Sequence, residues 1–146
     1  MIKMTSLFRR KNDRSDAADQ KARIGRLGED VAEEFFLSKG YSVIARNLHL
    51  SHLEVDLIVE DSEFLVFVEV KARTCAYPGS SRYGRPAAAV NAKKRARIAA
   101  AAEEYLRLHP TEKQPRIDVL EVYVNRDNPD AIPKVLHIRN AFGAGG

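Results

Sequence analysis

Three charged side chains lie inside strongly apolar segments of this 146-residue chain. Asp56 lies within Leu53–Val59, and Glu69 and Lys71 lie at the end of Phe64–Lys71, which reads FLVFVEVK. Because side chains alternate between the two faces of a strand, Glu69 and Lys71 share one face. Burying such charges costs free energy unless they have partners. Taken alone, the pattern fits an ion pair between Glu69 and Lys71 at the exposed end of a strand.

Pairing the two segments as a hairpin adds a second interpretation. The polar turn Glu60–Glu63 joins them, and antiparallel pairing brings Asp56 to the neighbourhood of Glu69. Two adjacent carboxylates repel each other, and a divalent cation removes that repulsion, with Mg²⁺ or Mn²⁺ favoured by hard oxygen ligands. Lys71 beside such a cation could orient or deprotonate a water and stabilise charge that develops on a phosphate. These residue types predict metal-assisted phosphodiester hydrolysis.

A fourth acidic residue is expected from a helix that precedes these strands. Apolar residues recur at helical spacing from Gln20 to Lys39, and Gly40 is the expected stop. Glu29 falls at the margin of the apolar arc, where a side chain can reach the edge of the sheet that the helix covers. Glu33 lies further toward solvent and is expected to be solvated. The alternative for Glu29 is ordinary surface charge.

The net charge of +4 is unevenly distributed along the chain. Residues 1–26 carry eight basic and three acidic side chains, and residues 70–102 carry eight basic side chains and no acidic one. A basic stretch on a near-neutral body suits a polyanion, because neutralised phosphates release condensed counterions. The predicted nucleic-acid contacts are Arg73, Lys93, Lys94, Arg95 and Arg97. The alternatives are a solvated helix face and, for Arg73, an ion pair with a nearby acid.

The remaining pattern predicts the elements that position these residues. Strands are expected at Tyr41–Arg46, Leu53–Val59, Phe64–Lys71, Ile117–Val124 and Lys134–Arg139. A loop is expected at Ala72–Arg85, followed by a helix from Pro86 to about Leu108. The order helix, three strands, helix, two strands predicts an α/β domain built on one mixed sheet. We divide the chain into a basic N-terminal arm (1–20), this domain (21–142) and a C-terminal tail (143–146).

Other patterns give weaker candidates for chemistry. His49 and His52 have no second pair of ligands at zinc spacing, so positions in the loop before the strand are favoured for both. Asp118 is expected to be structural, with Arg116 as its partner. The chain has no apolar run of membrane-spanning length, no recognisable secretory signal and a single cysteine. A cytoplasmic protein without a membrane partner is therefore expected.

Several short motifs occur together in one order over residues 24–142. They are G-x-x-G-E-x-x-A at Gly25–Ala32, E-V-D-L-I at Glu54–Ile58, V-F-V-E-V-K-A-R at Val66–Arg73, R-I-D-V at Arg116–Val119 and H-I-x-N-A-F at His137–Phe142. In these motifs the chain resembles the bacterial YraN-like family. That family is similar to the restriction-endonuclease-like superfamily, with its PD-(D/E)xK signature, and especially to archaeal Holliday-junction resolvases. The resemblance implies a restriction-endonuclease-like fold, a central mixed β-sheet flanked by helices.

The resemblance also implies a set of site residues. In those enzymes a helix glutamate, a strand aspartate and an E-x-K strand bind metal and activate water. The matching residues are Glu29, Asp56, Glu69 and Lys71, with the backbone carbonyl of Val70 as a further metal ligand. Leu53 departs from the glycine that the family usually has before the E-V-D segment, which bears on the turn leading to Asp56.

The expected function is that of an Mg²⁺- or Mn²⁺-dependent endonuclease, with DNA favoured over RNA. Branched or structured DNA is expected from the resemblance to resolvases alone, and a homodimer would suit a junction with two scissile strands. One alternative is a non-catalytic nucleic-acid-binding or accessory protein that retains the fold. Clustered acids repel phosphate, which argues against it. A third interpretation is an interaction domain in which Glu69 and Lys71 are structural.

Overall fold

The backbone follows the predicted order of helix, three strands, helix and two strands. This computed structural model describes residues 2–75 and 92–141, with side chains from residue 15 onward. The elements are α1 (Ile2–Ser38), β1 (Ser42–Leu50), β2 (Leu53–Glu60), β3 (Phe64–Cys75), α2 (Ala92–Leu108), β4 (Gln114–Asn125) and β5 (Lys134–Ile138). The predicted α/β class is confirmed.

The five strands form one mixed sheet in chain order, β1-β2-β3-β4-β5. The β1–β2, β2–β3 and β4–β5 pairs are antiparallel, whereas β3 and β4 are parallel. A parallel pair requires a crossover connection, and α2 lies between β3 and β4 in the chain. The result is the expected mixed sheet flanked by helices, consistent with a nuclease-like α/β fold.

Strand β3 lies between two apolar layers. On one face Val66 and Val68 pack with Phe36 of α1, and on the other face Phe67 packs with Tyr105 of α2. Burying a side chain of this size contributes about 1.5–3 kcal/mol, so these contacts hold both helices on the sheet. The nearly unbroken apolar run of β3 therefore reflects a strand that is covered on both faces, as its sequence predicted.

Helix α1 is longer than the sequence predicted, since it begins at Ile2 rather than at Gln20. It includes residues 2–19, which were expected to form an irregular arm. No proline or glycine occurs before Gly25, so helix propagation meets no strong breaker in this stretch. Apolar periodicity detects a helix that packs on a core and misses a helical extension that lacks an apolar stripe.

Strand β3 also ends later than predicted. Residues 72–75, expected to begin a loop, continue the strand and pair with Val122–Asn125 of β4. Because β4 stays buried as far as Val124, the parallel pairing of β3 with β4 also continues to this end of the strand. The rest of the expected loop to Arg85, the helix start at Pro86 and the tail from residue 143 lie outside the described residues.

Strand β1 continues past its predicted end at Arg46. His49 is therefore part of the strand, not of the loop expected for it, and it is paired with Glu54 of β2. His52 lies in the short turn before β2, where Ser51 adopts a left-handed conformation (φ 58°). The two-residue turn joins β1 directly to the strand that carries Asp56.

Candidate active site

The turn between β2 and β3 sets the register that positions the candidate site. Asp61 Oδ1 accepts hydrogen bonds from the backbone N–H groups of Phe64 (2.6 Å) and Glu63 (2.9 Å). The bond from Phe64 is the largest cause, and that from Glu63 the second, of a pKa of the Asp61 carboxyl below its usual value. The charged carboxylate thus stabilises one turn geometry and with it one register, because a slip by one residue would reverse the faces of β3.

That register brings Asp56 and Glu69 together. Leu57 pairs with Val68, so the next position of the antiparallel pair sets Asp56 beside Glu69. The backbone N–H of Val70 donates to Asp56 Oδ2 at 2.9 Å, which fixes the orientation of the aspartate. The two carboxyls are neighbours on adjacent strands, as the hairpin interpretation of the sequence required.

The environment of Asp56 disfavours its charge. Burial is the first cause and the negative charge of Glu69 the second, and together they raise the pKa of Asp56 to about 7 against the opposing bond from Val70. A carboxyl with this pKa exchanges its proton near neutral pH. A nearby cation would favour its charged form.

The acid pair lines a cleft of about 430 Å³ between the β2–β3 hairpin and α2. We call this space the acid-pair cleft; its lining residues are His52, Leu53, Glu54, Asp56, Glu69, Lys93, Lys94, Arg97 and Ile98. Residues three and four apart share one side of a helix, which explains why Lys93, Lys94 and Arg97 reach the same cleft. The cleft thus has an acidic wall on the sheet and a basic wall on the helix.

Glu69 forms its ion pair across this cleft. Lys94 Nζ lies 2.5 Å from Glu69 Oε1, and the Glu69 side chain is only 9% exposed. The ion pair considered from the sequence joined Glu69 to Lys71 within β3; the structure pairs Glu69 with Lys94 of α2 instead. The sequence could not reveal this contact, since it depends on how α2 packs over the hairpin.

Lys71 follows Glu69 by two residues on the same face of β3. Burial, and then the positive charges of Lys94 and Arg73, lower the pKa of Lys71. Glu69 and Glu121 act in the opposite direction. Lys71 is therefore an ammonium whose proton is held less firmly than that of a solvated lysine, beside the acid pair.

Glu29 lies on the other side of the sheet. Its Oε2 accepts a hydrogen bond from Asn47 Nδ2 (3.0 Å) and lies 3.4 Å from Arg46 Nη2. It lines a separate cleft of about 540 Å³ together with Val70 and Ala72. Glu29 is not among the described residues that line the acid-pair cleft.

Two neighbours explain the position of Glu29. A Cβ at Gly28 would lie 2.5 Å from the Cβ of Ala72, so only glycine lets α1 approach β3 this closely. Glu33, expected to be solvated, instead accepts a hydrogen bond from Arg46 at 3.0 Å. The helix-face argument located Glu29 at the sheet correctly and did not show which side of β3 it would meet.

Four of the five predicted nucleic-acid contacts divide between two clefts, and Arg73 lines neither of them. Lys93, Lys94 and Arg97 line the acid-pair cleft, and Arg73 lies close enough to Lys71 to affect its pKa. Arg95 lines a different cleft of about 710 Å³ beyond α2, which also includes Arg116 and Arg139. The basic run of the sequence is thus not one surface.

Sequence reasoning missed two acidic residues near the site. Glu54 lines the acid-pair cleft and contributes to the raised pKa of Asp56. Glu121 is buried, is paired in register with Lys71, and accepts a short hydrogen bond from Tyr123. An acid within an apolar strand is the signal that identified Asp56, and the same signal marks Glu121.

Asp118 has the structural role predicted for it. Arg116 donates to both carboxylate oxygens, from Nε to Oδ1 (2.9 Å) and from Nη2 to Oδ2 (3.0 Å). His137 Nε2 lies 2.7 Å from Oδ2, and the backbone N–H of Asn140 donates to Oδ1 at 2.9 Å. We call these four residues the Asp118 network. Arg116 as the partner of Asp118 is confirmed.

The donor set of the acid-pair cleft can be tested against the expected cation. Among the residues whose side chains the structure describes (15–75 and 92–141), no group of three or more His, Cys, Asp and Glu side chains is arranged to hold a metal. Mg²⁺ commonly takes one or two carboxylates and keeps several waters. Asp56, Glu69 and the carbonyl of Val70 fit that chemistry.

Comparison with known proteins identifies the family. The model of the uncharacterised protein family UPF0102 matches residues 28–122, about two thirds of the chain. The chain belongs to the UPF0102 family. The YraN-like resemblance drawn from the motifs is thereby confirmed. The matched segment begins at Gly28 and extends into β4, so it contains Asp56, Glu69, Lys71 and all of α2.

Several UPF0102 proteins are similar over most of the chain. A relative from Symbiobacterium thermophilum is 43% identical over 123 residues, which cover 84% of this chain and 98% of the relative. A relative from Caldanaerobacter subterraneus is 37% identical over 84% of the chain and 96% of its own length. One from Solibacter usitatus is 37% identical over 142 residues, 95% of the chain and all of the relative. In the part of the chain that the structure describes, neither helix is long and apolar enough to cross a bilayer.

Proposed function

We propose that this UPF0102 protein is a metal-dependent phosphodiester hydrolase that cuts DNA, an endodeoxyribonuclease using Mg²⁺ or Mn²⁺. The observation that carries the proposal is the acid pair Asp56–Glu69 opposite the basic wall of α2. Burial beside Glu69 disfavours the charge of Asp56 even though Lys94 pairs with Glu69, and this costs stability unless a bound cation offsets it. A purely structural role does not explain why the fold retains that cost.

The acidic wall of the cleft would bind the cation, and the basic wall would bind the nucleic-acid phosphates. Asp56, Glu69 and the Val70 carbonyl would hold the cation, which would supply Lewis-acid stabilisation of the phosphate and lower the pKa of a bound water. Lys93 and Arg97 would bind the flanking phosphates, because they line the opposite wall. A scissile phosphate between the walls would meet the bound cation on the sheet side and the basic side chains of α2 on the helix side.

Lys71 would assist the attacking water. It shares the Glu69 face of β3, and burial together with two nearby cations lowers its pKa. A lysine in such surroundings can take up or release a proton at a reacting oxygen and stabilise developing negative charge. Glu29 would complete the site from the α1 side of β3, next to Val70, or position a second cation or water.

The substrate part of the proposal comes from charge and from the family resemblance. Basic residues that contact phosphates bind without regard to sequence. DNA over RNA, and branched or structured DNA in particular, follow from the similarity to resolvases. A two-fold dimer would present two such clefts to a junction.

Metal binding by the purified protein tests the proposal first. We would titrate Mn²⁺ and Mg²⁺ by calorimetry into the wild type, Asp56→Ala, Glu69→Ala and the control Glu54→Ala, which removes a carboxyl from the same cleft outside the pair. Binding that is lost in the first two variants and retained in the control is expected. Duplex, single-stranded and four-way-junction DNA and matched RNA would then be assayed for cleavage. No binding even with DNA present would overturn the proposal.

A non-catalytic nucleic-acid-binding protein is the second candidate. The observation that favours it is the Lys94–Glu69 ion pair, which gives Glu69 a partner within the protein. On this alternative, DNA binding in EDTA is the whole activity, and the alanine variants of Asp56 and Glu69 bind DNA at least as tightly as the wild type. Metal-dependent cleavage that is lost in both variants would rule it out.

A further inference from the structure

The contact between Lys94 and Glu69 links the two walls of the acid-pair cleft. Nζ of Lys94 lies 2.5 Å from Oε1 of Glu69, which is nearly covered at 9% exposure, whereas the lysine side chain is 44% exposed. The ammonium therefore reaches from solvent over a buried carboxylate. One positive charge lies on an oxygen that the function proposed above assigns to a divalent cation.

We propose that Lys94 competes with the divalent cation for Glu69, and that its transfer to a nucleic-acid phosphate couples the binding of cation and nucleic acid. The inference rests on the proposed function. An ammonium and a divalent cation on the same carboxylate repel each other, so one must leave for the other to bind fully. A phosphate that attracts Lys94 frees Glu69 for the cation, and by thermodynamic reciprocity the cation frees Lys94 for the phosphate.

Lys94 is distinguished from its neighbours by this contact. Lys93 and Arg97 line the same cleft, so all three contribute to its positive potential. Lys93 is more exposed and adjacent in sequence, and its charge is identical. Replacing Lys93 therefore reports the effect of removing one charge from the cleft, and replacing Lys94 reports that effect together with the loss of the contact to Glu69.

Calorimetric titration of Mn²⁺ without nucleic acid separates the two effects. We expect Lys94→Met to bind Mn²⁺ at least about fivefold more tightly than the wild type, and Lys93→Met to stay within about twofold of it. Equal changes in the two variants, or no gain in Lys94→Met, would overturn the exchange while the proposed metal site stands. Absence of Mn²⁺ binding in all three proteins would overturn the metal site and the exchange together.

A second measurement uses no metal. In EDTA, Glu69→Gln removes the charge that Lys94 pairs with at 2.5 Å and should tighten binding of duplex DNA several-fold, more than Glu54→Gln, which removes a charge from the same cleft outside that ion pair. The two substitutions should tighten DNA binding equally when each is combined with Lys94→Met. Equal tightening by Glu69→Gln and Glu54→Gln would show general charge repulsion in place of the exchange.

Discussion

Two aspartates lie within apolar strands of the same sheet, and their surroundings shift their pKa values in opposite directions. Burial alone would raise the pKa of both aspartates. At Asp118 the bonds from His137, Arg116 and the Asn140 N–H outweigh burial, and the pKa is lowered. At Asp56 burial and the neighbouring Glu69 outweigh the one bond from Val70, and the pKa is raised to about 7.

The difference separates a structural cluster from a candidate site. The Asp118 network satisfies each carboxylate oxygen twice and joins β4 to the end of β5. In the acid pair, Glu69 has Lys94 as its partner, whereas the charge of Asp56 is left unfavourable, and both residues face a cleft. Strongly perturbed carboxyls of the second kind are typical of catalytic and metal sites, where a fold accepts a local cost. Burial of a carboxylate alone therefore does not distinguish a structural residue from a site residue. Whether its hydrogen-bond and charge partners stabilise the charged form does.

The largest effect is expected at the Asp118 network. Asp118→Asn keeps the shape and removes the charge that balances Arg116, so we expect a loss of about 3–5 kcal/mol in the free energy of unfolding, measured with urea at pH 7. Because the pKa of Asp118 is lowered by folding, its contribution is present above the unfolded pKa near 4 and is lost as the pH falls through the folded value. The wild type's advantage over Asp118→Asn should therefore shrink in acid. A loss below about 1 kcal/mol would place Asp118 in the same class as Asp56.

A smaller loss is expected behind the acid pair, where α1 packs on β3. Gly28→Ala puts a methyl group 2.5 Å from Ala72 Cβ, so the helix must move, at a cost of about 1–3 kcal/mol. Gly25→Ala is the matched control: a Cβ there meets nothing within 4 Å, and the better helix former should stabilise by about 0.5–1 kcal/mol. Urea unfolding of both variants measures the difference. Equal changes would show that α1 is not held tightly against the strand that carries Glu69.

Much of this arrangement could be predicted from local patterns. The apolar runs gave the strands, and the short polar turn at residues 60–63 gave the hairpin that sets Asp56 beside Glu69. Arg116 as the partner of Asp118 was accessible because the two residues are separated by two positions on one strand face.

The rest depends on packing between distant segments. His137 reaches Asp118 across 19 positions of the chain, and Lys94 reaches Glu69 only because α2 lies over the hairpin. The position of Glu29 behind β3 depends on how α1 crosses the sheet. Apolar periodicity shows which face of a helix is buried. It does not show which strand is contacted by a residue at the margin of that face.

The smallest effect is expected at Asp56, and its sign is opposite to that at Asp118. Asp56→Asn keeps an acceptor for the Val70 N–H and removes the charge that burial and Glu69 disfavour. Since folding raises this pKa to about 7, the wild type loses stability as the pH rises from about 4 to 7, whereas the variant does not titrate here. We expect Asp56→Asn to be more stable than the wild type by about 1–2 kcal/mol at pH 8 and less stable than it near pH 4, because raising this pKa from about 4 to about 7 changes the relative stability by about 4 kcal/mol between those pH values.

Urea unfolding at pH 4.5, 6 and 8 measures that difference, with Glu54→Gln as the control for removing a charge from the same cleft. Glu54 is more exposed than Asp56, so its variant should change stability little at any of these pH values. A loss of stability in Asp56→Asn at pH 8 would mean that the Asp56 charge has a favourable partner in the folded protein, as Asp118 does. The acid pair would then be a second structural cluster, and the repulsion that calls for a cation would be absent.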